Sequence, residues 1–123
     1  FFDRHELSHS ELIHLMGRSL IYIGNSISDG MPNTLLESIV MGAFPIQSNP
    51  GGVTEEIISN NENGLLINNP ESIEEIKENI LKAIFDLGLL EKAFLINQEI
   101  ASERLDYFEN KLKVIEMYKT IML

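Results

Sequence analysis

Asp29 and Glu37 are two carboxylates with seven residues between them, and the intervening stretch opens Gly30-Met31-Pro32-Asn33-Thr34. A carboxylate repels phosphate but accepts hydrogen bonds well from a pair of hydroxyls. The residues between the two acids suit the start of a helix. Pro32 fits the first turn and has no amide hydrogen, while Gly30 lets a ligand or backbone come close. The amides of Asn33 and Thr34 are then unpaired and, with the helix dipole, form an anion site. Glu37 lies one turn beyond Asn33 and leans back along the same face. A ligand with a diol at each end and phosphates between them fits this layout, and a nucleotide sugar is such a molecule. Taken singly, the same acids have plainer readings, Asp29 as a loop or capping residue and Glu37 as a helix-start glutamate.

Such a loop needs a sheet edge to stand on, and the chain predicts one. Ser8 or Ser10 caps a short helix to about Gly17, and Ser19–Gly24 is a continuous apolar run that reads as a parallel strand covered on both faces. A helix runs from Pro32 to Gly42, with Leu35, Leu36, Ile39 and Val40 at helical spacing. Phe44–Ser48 is a second strand, Asn49–Gly52 a turn, Val53–Ser59 a short helix, and Leu65–Ile67 a third strand. From Pro70 the pattern is helical: one helix carries Ile73, Ile76, Ile80, Leu81 and Ile84 and breaks at Gly88. A second reaches about Ala101, and a third covers roughly Arg104 to Ile121. Strands alternating with helices predict an α/β fold, a Rossmann-like parallel sheet with flanking helices and a helical C-terminal tail. In open sheets of this kind ligands bind at the carboxyl edge of the strands, where Asp29 and Glu37 are placed. Residues 1–102 are expected to form the sheet domain and 103–123 a closing helix.

Composition removes other classes. Among 123 residues, 44% are hydrophobic and 23% charged, the balance of a globular domain rather than a disordered one. The net charge of −10 argues against a nucleic-acid partner. No apolar run reaches the ~18 residues of a membrane span. Cysteine is absent, which excludes disulfides and thiolate chemistry. Residues 1–70 hold eight acids against only Arg4 and Arg18, so the loop region is short of cations. The opening Phe1-Phe2-Asp3-Arg4 has no basic n-region, and three strands are few for a doubly wound sheet. The chain therefore reads as a piece of something longer.

Residues 28–70 resemble the donor-binding region of retaining glycosyltransferases of the GT-B fold, the group 1 (family 4) class. The resemblance rests on four ordered features: Asp29 and Glu37 at their spacing, Met41-Gly-Ala-Phe-Pro-Ile46, Gly51-Gly-Val-Thr-Glu55, and Asn63-Gly-Leu-Leu-Ile-Asn-Asn-Pro70. Leu7–Gly24 resembles the preceding helix and strand, and Asp106–Asn110 the start of the closing helix. One departure is that the first acid, usually Glu, is Asp here and one methylene shorter. The resemblance implies a nucleotide-diphosphate sugar, UDP- or GDP-linked or similar, as donor substrate, with no cofactor and no metal required. It implies that Asp29 positions the donor sugar and that Glu37 holds the ribose. Gly30, Met31, Asn33 and Thr34 would meet the diphosphate and sugar, and Leu7 the base. It further implies a glycan, lipid or other acceptor bound by a separate domain, and basic diphosphate-binding residues upstream. The enzyme would be cytoplasmic or peripheral to a membrane, and this piece alone inactive. Two rivals are a nucleotide-sugar epimerase of the same fold and a non-catalytic doubly wound module. The second needs a phosphoacceptor acid at a strand end, and Asp29 is five residues past its strand.

Other residues read more simply. His5, His9 and His14 lack a convergent acid or cysteine set and are expected to face solvent. Gly51 and Gly52 serve either ligand approach or a turn. The methionines fill core gaps, except Met31, which lies in the loop lining the sugar site. Leu105, Phe108, Leu112, Ile115 and Tyr118 form an apolar stripe that, left uncovered, favours a dimer through the C-terminal helix.

Overall fold

The computed structural model describes residues 6–28, 30–105, 115–117 and 119–121. Three parallel strands lie in the order β1 (Ile21–Gly24), β2 (Phe44–Ser48) and β3 (Leu65–Ile67). The register pairs Gly24 with Gln47 and Ser48 with Ile67, so all three strands point their carboxyl ends the same way. Helices α1 (His9–Gly17), α2 (Asn33–Met41), α3 (Ile73–Phe85) and α4 (Leu87–Arg104) flank the sheet. The fold is thus α/β, a Rossmann-like parallel sheet between helices.

Alternation along the strands divides the core in two. Phe44, Ile46, Leu65 and Ile67 join Ala83, Leu89 and Ala93 on one side, under α3 and the first half of α4. Leu66 on the other side joins Leu35, Ile39, Ile57 and Ile58, with Tyr22, Met31, Leu36, Ile100 and Leu105 packed around them. Helix α4 serves both clusters, giving Leu89 and Ala93 to the first and Ile100 to the second. It crosses between them at Asn97, which is buried and bonded to Asn63 just ahead of β3. Helix α4 therefore passes the amino ends of β2, where Phe94 approaches Gly42, and of β3, where Asn97 bonds Asn63. A groove of about 460 Å³ remains beside it, lined by Leu20, Phe44, Leu90, Phe94 and Leu95.

Local chemistry sets the boundaries. The Ser8 hydroxyl accepts the Glu11 amide at 3.2 Å and starts α1, and Ser72 does the same for α3 through Glu75. Gly42 ends α2 at φ +91°, and the amides of Gly42 and Ala43 bond the Ile39 and Ser38 carbonyls.

Several expectations need correction. Strand β1 is an edge strand, and Ile23 is 45% exposed rather than covered on both faces. Pro32 sits at the cap position of α2 instead of its first turn. The expected helix at Val53–Ser59 is a 3-10 segment at Pro50–Glu56, interrupted by Gly51 and Gly52 at φ +70° and +80°. The break between α3 and α4 falls at Asp86 rather than Gly88, because the Asp86 carboxylate caps α4 through the Leu89 amide at 2.9 Å. Helix α4 continues to Arg104, and residues 115–117 and 119–121 are helical. Of the predicted apolar stripe, Leu105 packs on the second cluster and Ile115 is exposed, while Phe108, Leu112 and Tyr118 lie outside the described residues.

Candidate functional site

The carboxyl ends of the strands run into loops, and side chains stitch those loops together. The Ser26 amide donates to Ser48 Oγ at 2.8 Å, tying the loop after β1 to the end of β2. Asn25 Nδ2 donates to the Pro70 carbonyl at 2.8 Å, tying it to the segment after β3. Asn49 Oδ1 accepts the Thr54 amide, and Thr54 Oγ1 donates to the Ser48 carbonyl at 2.7 Å, which fixes the Gly51-Gly52 turn at the same edge. The positive φ of both glycines is reason enough for their identity.

Helix α2 begins on this platform. Pro32 has no side chain able to cap it, and no described side chain bonds its first-turn amides. Asn33 and Thr34 are exposed there, and Gly30 is exposed just ahead. The Thr34 hydroxyl bonds the Tyr22 hydroxyl at 2.9 Å, which fastens the helix start to β1. Met31 packs against the second core cluster and so anchors the loop to the sheet. Glu37 is one turn further on, half-buried, and its Oε1 is 2.9 Å from His9 Nε2 at the start of α1. Leu7, two residues before His9, is half-buried. The structure thus gathers Gly30, Asn33, Thr34 and Glu37 at one edge and brings α1 against α2 beside them. Asp29 lies outside the described residues, as do Arg4 and His5.

Sequence reasoning missed two groups here. His9 faces solvent as expected, its side chain 72% exposed, but it also holds Glu37 across 28 residues of sequence, a separation that leaves no local signal. Gln47 is buried on β2 opposite Gly24, and its Oε1 has no partner among the described residues. A long polar side chain inside a buried strand was the available cue. No cluster of three or more metal-ligating side chains occurs among the described residues. No described helix is long and apolar enough to cross a membrane.

Residues 5–94 match the family of group 1 glycosyl transferases. The chain belongs to that family. No curated protein matches it. Among solved structures it is similar to Alr3699/HepE of Anabaena, determined in complex with UDP, at a TM-score of 0.74 and 21% identity. That match covers 86% of this chain and 29% of the Anabaena chain. At this identity the likeness establishes the shared fold, a Rossmann-like half-domain of the GT-B type. The match to group 1 glycosyl transferases includes α1, α2, all three strands and α3, hence every element that builds the carboxyl-edge site.

Proposed function

We propose that this chain is the donor-binding part of a longer retaining glycosyltransferase of family 4, which moves a sugar from a nucleotide-diphosphate donor to a glycan, lipid or other acceptor. The observation that carries the reading is the start of α2, whose first-turn amides no described side chain caps, with the Glu37 carboxylate one turn along it. Amides and helix dipole suit a diphosphate, and the carboxylate suits the ribose hydroxyls. Asp29, in the loop that the platform holds, would orient the transferred sugar. Leu7 would lie beside the base. UDP is the first nucleotide to test, because the Anabaena relative was determined with it. Positioning and stabilisation of the departing diphosphate would supply the catalysis, without a metal or a covalent nucleophile.

Two observations support a longer enzyme. β1 is an exposed edge with Leu20, Ile23 and Ile27 uncovered, a surface suited to a further strand. Among described residues before Glu71, Arg18 is the one lysine or arginine, and it caps the far end of α1. The cations that neutralise a diphosphate, and the acceptor surface, would come from elsewhere in the enzyme, which would work in the cytoplasm or at a membrane face. Thermal melts of the full enzyme with UDP, GDP and other nucleoside diphosphates at millimolar concentration test the reading. One class should raise the melting temperature by binding the folded state. No shift with any of them rejects the donor site.

A further inference from the structure

We infer that His9 is a positioning residue for the ribose side of this site, acting through Glu37. The inference rests on the donor-site reading above. Glu37 Oε1 and His9 Nε2 are 2.9 Å apart, on helices 28 residues distant in sequence. An ionised carboxylate can only accept, so the contact requires that His9 carry its proton on Nε2. That donor occupies one lone pair of Oε1 and leaves Oε2 and the remaining lone pairs for a ligand's hydroxyls. A free glutamate would have to give up three side-chain rotations when a diol binds. Here His9 has already removed much of that freedom, which is the condition for affinity without new contacts. No other ion pair to Glu37 occurs among the described residues.

The placement is specific to the nucleoside end. His9 is the first residue of α1, two residues from half-buried Leu7, while Glu37 is on α2 one turn beyond the anion-binding amides. The pair therefore joins the two walls between which a nucleoside would lie. As a stability element it would count for little, since the imidazole is 72% exposed and exposed pairs contribute weakly. Its effect should appear in ligand affinity instead.

The test compares the full enzyme with its His9→Ala, His9→Gln, Glu37→Ala and double His9→Ala/Glu37→Ala variants. Each is titrated with UDP, GDP and inorganic pyrophosphate and assayed for turnover. His9→Ala should weaken binding of the recognised nucleotide roughly 3- to 10-fold and raise KM alike, with kcat unchanged. Pyrophosphate, which has no ribose, should bind as before. His9→Gln, which keeps an N–H donor, should recover most of the loss. In the Glu37→Ala background the His9 substitution should add nothing. Wild-type affinity in His9→Ala, with weakened binding in Glu37→Ala, overturns the role of His9 alone. Equal weakening toward pyrophosphate also overturns it, by showing a charge effect instead of positioning. Undiminished nucleotide binding in Glu37→Ala overturns the ribose assignment and with it the donor-site reading.

Discussion

Asn63 and Asn97 bond each other twice across the point where α4 passes over the sheet. Asn63 Nδ2 donates to Asn97 Oδ1 at 3.0 Å, and Asn97 Nδ2 donates to the Asn63 carbonyl at 2.9 Å. Both side chains are 2% exposed. Asn63 also accepts the Ser59 amide and donates to the Ile57 carbonyl, so one carboxamide organises the turn ahead of β3. Fully satisfied buried polar groups of this kind fix one arrangement of a core.

Asn97→Ala removes both inter-element bonds and leaves the buried Asn63 carbonyl without its side-chain donor. A loss of about 2–3 kcal/mol is expected, the range for orphaned buried polar groups. Urea unfolding measures it. A loss under about 0.5 kcal/mol would mean that water reaches the crossing point and replaces the pair.

Gly24 and Gln47 make a second pair. A Cβ on Gly24 would overlap Gln47 Oε1 and the Tyr22 hydroxyl and lie 2.8 Å from Gln47 Cδ. Gly24→Ala should therefore displace the carboxamide and loosen the Tyr22–Thr34 bond, at a cost of about 1–3 kcal/mol. Gln47→Met, similar in volume, removes an oxygen with no described partner and should leave the melting temperature unchanged or raised. A clear fall for Gln47→Met would show that the oxygen is satisfied after all.

Strands β2 and β3 were legible residue for residue, because short apolar runs bounded by Gly, Pro and Asn admit few alternatives. The site's scaffold was legible for the same reason, since Gly42 marks the end of α2 and the loop before it follows a strand. The α3–α4 boundary was not. Gly88 carries the stronger breaker signal, yet a capping carboxylate two residues earlier decides the break. The His9–Glu37 and Asn63–Asn97 contacts were invisible in principle, because packing of distant elements creates them and neither leaves a periodic trace.

The two acids of the motif should separate kinetically in the full enzyme. Glu37→Gln should raise KM and nucleotide Kd about 10-fold with little change in kcat, because ribose contacts persist through the reaction. Asp29→Asn should lower kcat about 100-fold, because it would misplace the reacting sugar. Steady-state kinetics and nucleotide titration read both. Unaltered constants in both variants would make the acids ordinary helix-start residues.

The last prediction concerns charge. Arg18, the one described lysine or arginine before Glu71, sits at the C-terminal end of α1, away from the α2 start. A diphosphate at that helix start would meet backbone amides and a nearby carboxylate, with no described lysine or arginine beside it to compensate its charge. The 123-residue chain alone should therefore bind nucleoside diphosphate far more weakly than the full enzyme. Absent charge-assisted contacts amount to about 2–4 kcal/mol, or roughly 30- to 1000-fold in affinity. The chain alone should also transfer no sugar, since nothing would close over the donor and exclude water. Isothermal titration of both proteins with UDP and GDP gives the comparison. Equal affinities would place every binding determinant within these residues and remove the need for upstream cations.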